Sequence, residues 1–223
     1  MTKEEKKIRN RTLNEAPKRC LIEEIGNAVT HGVGAILAII MLILMLTKST
    51  TPLMIIASIV YGLSMIFMMT MSCLYHSFKY GSRVKRLWRR FDYASIYLLI
   101  GGTYAPLFLI LMGNTLGIVL FIIQWVLIIT GITFVSIFGP GRLKWLHFTL
   151  YFLVGWSGVM FIPSWISTNQ TLLFWILIGG IIYTLGMIPF CKKNLKSAHF
   201  IWHFFVLFGA IAQWIGIYSC LYL

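Results

Sequence analysis

The residues of this sequence best suited to chemistry are its five histidines and one isolated carboxylate. His199 and His203 stand four apart in His199-Phe200-Ile201-Trp202-His203. On a helix that spacing places both imidazoles on one face. There they can chelate a single metal ion, as histidines at i and i+4 do in zinc sites. Taken alone the pair also has a plainer reading, as interfacial histidines among Phe200, Trp202, Phe204 and Phe205. His76 closes another apolar run, in Ser72-Cys73-Leu74-Tyr75-His76. It would supply a third imidazole and leave an open position for water, as catalytic zinc sites do. The alternatives are snorkelling toward the interface for His76 and a bond to its own helix backbone for Ser72.

Five of the six acidic residues lie at or before Glu24, which leaves Asp92 alone among the apolar runs. Two readings of Asp92 stand side by side. It can cap the start of a helix and complement its dipole, with Arg89 and Arg90 beside it, or it can serve a site. Glu24, Asn27 and His31 fall at i, i+3 and i+7 and so share one stripe. Their plain reading is the polar start of a helix. His147 has no evident partner and reads as interfacial.

These residues can meet only if the chain holds them at one depth in a membrane. Of its 223 residues 59% are hydrophobic and 11% charged, and the mean hydropathy is +0.84. A soluble domain carries about 25% charged residues, so this chain cannot cover a soluble surface. In lipid only helices and closed barrels satisfy the backbone. The runs here are continuously apolar rather than alternating, which selects an all-α seven-transmembrane-helix bundle. The expected spans are 28–46, 53–76, 93–112, 115–138, 143–162, 171–190 and 198–222. Residues 48–52, a basic loop at 78–90, a tight turn at Gly113-Asn114, Gly139-Pro140-Gly141, residues 163–170 and residues 191–197 separate them. Gly101, Gly102 and Pro106 predict a kink or a close helix contact in the third span. Residues 1–26 form a polar tail, too polar for a signal peptide, and 27–223 one membrane domain.

Eighteen of the nineteen Lys and Arg residues fall in the tail and in alternate loops, against Lys48 on the other side. The positive-inside rule then puts the N-terminus in the cytoplasm and the C-terminus outside, in a bacterial cytoplasmic membrane. The same distribution explains the net charge of +13 without nucleic acid. All five histidines lie near the cytoplasmic ends of their spans. Cys20, Cys73, Cys191 and Cys220 show no CxxC spacing and indicate neither a disulfide framework nor a thiolate metal site.

Five short motifs occur in order: Glu-Ile-Gly-Asn-Ala-Val-Thr-His-Gly at 24–32, Ser72-x-x-x-His76-Ser77-Phe78, Phe91-Asp92-Tyr93, Gly102-Thr103-Tyr104-Ala105-Pro106 and His199-x-x-x-His203. In this the chain resembles the hemolysin III family, the bacterial branch of the progestin and adipoQ receptors, whose wider superfamily includes alkaline ceramidases. The resemblance covers essentially all of the chain after the tail. Ala105 stands where that family often has Thr. The resemblance implies that His76, His199 and His203 bind zinc and that Asp92 and Ser72 lie just outside the ligands. It gives Glu24, Asn27 and His31 no role.

The expected activity is hydrolysis of an amide or ester in a membrane lipid, ceramide-like or otherwise acylated. Asp92 would orient or deprotonate the attacking water, and Ser72 would support His76 or the developing oxyanion. Two other readings remain at this point. One is a pore or cytolysin, which wants polar residues at successive depths that these helices lack. The other is a sensor of membrane state in which zinc is structural.

Overall fold

The computed structural model describes residues 2–191 and 197–223. Lys192, Lys193 and Lys196, counted above among the basic residues, lie outside them. A short helix α1 (Lys3–Leu13) precedes α2 (Leu21–Lys48), α3 (Pro52–Ser77), α4 (Arg83–Pro106), α5 (Thr115–Phe138), α6 (Lys144–Gly155), α7 (Ile162–Thr168), α8 (Gln170–Cys191) and α9 (Ala198–Leu221). Among the described residues seven stretches are long and apolar enough to cross a membrane: α2, α3, α4 with its extension to Met112, α5, α6 through α7, α8 and α9. The chain is therefore a multi-pass membrane protein, with the span count that the apolar runs predict.

The ends of the elements follow local chemistry. Thr51 caps α3 with Pro52 in the first turn, and Asn114 caps α5 by accepting the Gly117 N–H. Gly113, at φ 55°, ends the preceding turn in the left-handed conformation. Pro106 cannot donate a backbone hydrogen bond, and the helix widens beyond it into a π turn over Leu107–Met112. Gly102 lets α4 approach α3 so closely that a Cβ there would meet Ser64 at 2.5 Å. The close contact expected in this span is thus present at Gly102.

Three boundaries differ from the sequence reading. The first span begins at Leu21, seven residues early, because Glu23 and Glu24 suit the first turn of a helix. The third begins at Arg83, capped by Ser82, so the basic loop shortens and most of its cations become helical. The break expected over 163–170 reduces to Asn169, because residues 162–168 continue as α7. Span five is instead interrupted earlier, by a 3-10 turn at Ser157–Phe161.

Helix α2 packs on α3, α3 on α4, α8 on α9, and α9 back on α2. One large apolar cluster runs through this group, from Ala38 and Met65 to Phe108, Leu172 and Ile217. At the end of the bundle that carries the N-terminus, the tail docks on the loops. Asn14 donates to the Phe138 carbonyl at 3.1 Å and accepts the Gly141 N–H at 3.0 Å. Arg86 bonds the Glu15 carboxylate at 3.1 Å, and Arg89 bonds the Glu15 carbonyl at 2.9 Å.

Candidate metal site

This packing brings the first turns of α2, the last turn of α3, the first half of α4 and the start of α9 together at the basic end. His76 comes from α3, and His199 and His203 from α9. The Nε2 of His199 lies 3.2 Å from the Nε2 of His76 and 3.2 Å from the Nε2 of His203. One ligand nitrogen from each of the three lies within 4.8 Å of the others, so the three can hold a metal ion. A tetrahedral ion with Zn–N bonds of about 2.0–2.1 Å sets its ligand nitrogens about 3.3–3.4 Å apart. Two of the three donor separations, at 3.2 Å, lie close to that value. With Nε2 unprotonated on all three rings, a cation would answer all three lone pairs at once. Imidazole donors suit zinc and several other transition metals.

Asp92 and Ser72 are 9% and 2% exposed and open, with His31, His199 and His203, onto one cavity of ≈ 210 Å³. From there the cavity continues along α9 to Gln213, past Leu173, Ile176, Leu177 and Val206. His199 and Gln213 are separated by about 21 Å of helix at 1.5 Å per residue. The far walls are therefore apolar and lie deep in the bundle.

The capping alternative for Asp92 ends here. Ser82 caps α4, and Asp92 stands in the third turn of that helix, not its first. Arg89 and Arg90 spend donors on the carbonyls of Glu15 and Ser136. Among the described residues no ion pair joins either to Asp92. His147 is a second correction. It is fully buried and bonded through Nδ1 to the Tyr97 hydroxyl at 3.0 Å, because α6 packs on α4 at that level.

The stripe on α2 turns toward the histidines. Glu24 Oε2 accepts from His76 Nδ1 at 2.6 Å. The Asn27 amide lies 3.4 Å from the same nitrogen. His31 stacks on His203, ring centroids 3.9 Å apart, and its Nε2 meets the His203 carbonyl at 3.3 Å. The i, i+3, i+7 spacing made this stripe visible in the sequence, but not what it faces. Lys85 was missed altogether, since it reads as one more loop cation. It is 1% exposed and pairs with Glu24 Oε1 at 3.0 Å.

The family model described as haemolysin-III related matches residues 20–214. Over 192 residues the chain is 40% identical to Hemolysin-3 of Bacillus cereus, covering 84% of this chain and 87% of that protein. It is 34% identical over 195 residues to the Hemolysin-3 homolog of Bacillus subtilis (strain 168), covering 86% and 91%. All five motifs and all the residues of the site lie inside the matched span. The chain belongs to the haemolysin-III related family.

Proposed function

We propose that this protein is a zinc-dependent hydrolase of a lipid amide or ester, acting from the cytoplasmic end of the membrane. The observation that carries the reading is the close approach of three Nε2 atoms, two of them on His199 and His203 in the wall of a long apolar cavity that also presents Asp92 and Ser72. His76, His199 and His203 would hold the zinc. Once bound it acts as a Lewis acid toward a carbonyl and makes water acidic enough to be a nucleophile near pH 7.

The chain's own groups supply the rest. Asp92 is the one carboxylate on the cavity wall, and it takes a proton from the attacking water as general base. The water oxygen bonds to the carbonyl carbon, the C–N or C–O bond breaks, and Asp92 returns the proton to the departing amine or alcohol. Ser72, on the same cavity wall, would orient the Asp92 carboxylate or donate to the developing oxyanion. The apolar walls running to Gln213 receive an acyl chain and exclude water from it.

The test is turnover by purified, zinc-loaded protein over a panel of ceramides, N-acyl amines and lyso- and diacyl esters, read by mass spectrometry. Asp92→Asn should fold, keep its zinc and lose turnover. A zinc-loaded parent that turns over nothing in the panel removes the hydrolytic reading. Conductance in planar bilayers that disappears with His203→Ala would favour a pore in its place.

A further inference from the structure

The hydrolytic reading leaves Glu24 and Lys85 without a part, yet they form a closely bonded group at this end of the bundle. Glu24 stands in the first turn of α2 with its side chain 12% exposed. One carboxylate oxygen lies 2.6 Å from His76 Nδ1 and the other 3.0 Å from Lys85 Nζ. Lys85 donates to the carbonyls of Tyr75 at 3.1 Å and Phe78 at 3.0 Å as well. Its three donors are therefore all used. Helix α3 ends at Ser77, so the ammonium caps the end of the helix that carries His76. Three helices are clamped around one imidazole.

The two nitrogens of His76 consequently differ. A carboxylate at 2.6 Å requires the hydrogen on Nδ1. Nε2 keeps its lone pair and faces His199. The other two candidate ligands have no such backing, for among the described residues the Nδ1 atoms of His199 and His203 meet no hydrogen-bond partner. Carboxylates placed behind a ligating histidine in this way orient the ring and raise its basicity.

We propose that Glu24 is the positioning residue of the histidine site: its carboxylate, held in place by Lys85, fixes His76 as the Nδ1–H tautomer and so presents Nε2 to a metal. Its consequence for metal binding rests on the reading that the three histidines hold zinc. A mere ion pair between α2 and α4 would look alike in its effect on stability, so the test reads metal and tautomer instead.

The full chain is purified in detergent, and zinc affinity is measured by competition with a chromophoric chelator. Glu24→Ala should weaken zinc about 10–100-fold, the usual effect of removing such a partner. Glu24→Gln, whose amide oxygen still accepts from Nδ1–H, should lose less. In the metal-free protein, ¹⁵N-histidine spectra should show His76 as the Nδ1–H tautomer in the parent and as a mixture in Glu24→Ala. Parent-like zinc affinity or an unchanged tautomer in Glu24→Ala overturns the proposal. Should Glu24→Ala fail to fold, a smaller loss of affinity in Glu24→Gln supports it and no loss overturns it. A parent that binds no zinc sinks the metal reading, while the tautomer arm still decides what Glu24 does to His76.

Discussion

Replacing Tyr104 with Phe removes a single oxygen, and the structure sets out what that oxygen holds. The Tyr104 hydroxyl donates to the Gly155 carbonyl at 2.7 Å and accepts the Gly158 N–H at 2.8 Å. Both groups lie where α6 gives way to the 3-10 turn, so the regular helical partners are missing. Backbone groups in a membrane protein must be satisfied by protein, and here the partner is a side chain from α4. Tyr104 is 6% exposed, and its ring would stay in place in the variant, so no cavity term enters. Each unpaired buried group costs about 1–3 kcal/mol, and two at the lower bound cost about 2 kcal/mol. For a chain of this length 1 kcal/mol moves the melting temperature by about 2–4 °C. Tyr104→Phe should therefore melt about 4–8 °C below the parent in detergent, followed by intrinsic fluorescence. Tyr80→Phe, at a tyrosine 46% exposed, serves as the control and should not shift. A Tyr104→Phe protein within about 1 °C of the parent would refute the claim that this hydroxyl closes the break in the fifth span.

Three other outcomes are expected. His203→Ala should abolish the zinc that the parent retains through purification, measured by plasma mass spectrometry; a full equivalent left in the variant would mean the metal lies elsewhere. Lys85→Met strips a buried carboxylate and two helix-end carbonyls of their shared donor. Removing one partner of a buried pair costs about 3–5 kcal/mol, so melting should fall by at least about 6 °C, and adding Glu24→Gln should recover part of the loss; strict additivity would show that the two do not interact. With the orientation proposed from charge, alkaline phosphatase fused after Leu223 should be active and a green fluorescent protein fused there dark, and the reverse pattern would invert the topology.

The bundle was legible in the sequence because lipid simplifies the problem. Once water is excluded, a run of about 20 apolar residues has only one backbone solution, and the seven runs needed only counting. The helix ends were less legible where charge and helix overlap. Residues 83–92 carry Arg83, Lys85, Arg86, Arg89 and Arg90 and look like a loop on hydropathy, yet Ser82 caps them into nearly three further turns of α4. That error moved Asp92 from the interior of a helix to its apparent start and so created the capping reading. The three histidines and Asp92 were identifiable from type and spacing. Their convergence was not, since it depends on α9 returning to pack on α2. His147 misled for a similar reason: its partner, Tyr97, is fifty residues away, and nothing local to either marks the contact.

The charges expected to orient the chain and the charges that surround the candidate site overlap, and this changes how substitutions at the basic end should be interpreted. Lys85 and Arg89 count toward the eighteen cations on one side, but they are 1% and 7% exposed and bonded to Glu24 and Glu15. On the positive-inside expectation such buried cations would act on topology during insertion, when the loops are still free, and on packing afterwards. Arg83, by contrast, is exposed and has no carboxylate partner among the described residues. Neutralising Arg83 should therefore test orientation alone, whereas neutralising Lys85 disturbs the clamp on His76 whatever the topology does. Part of the positive charge at the basic end thus holds the helix that carries His76, so the residues expected from their charge to set the direction of insertion include one that shapes the candidate metal site.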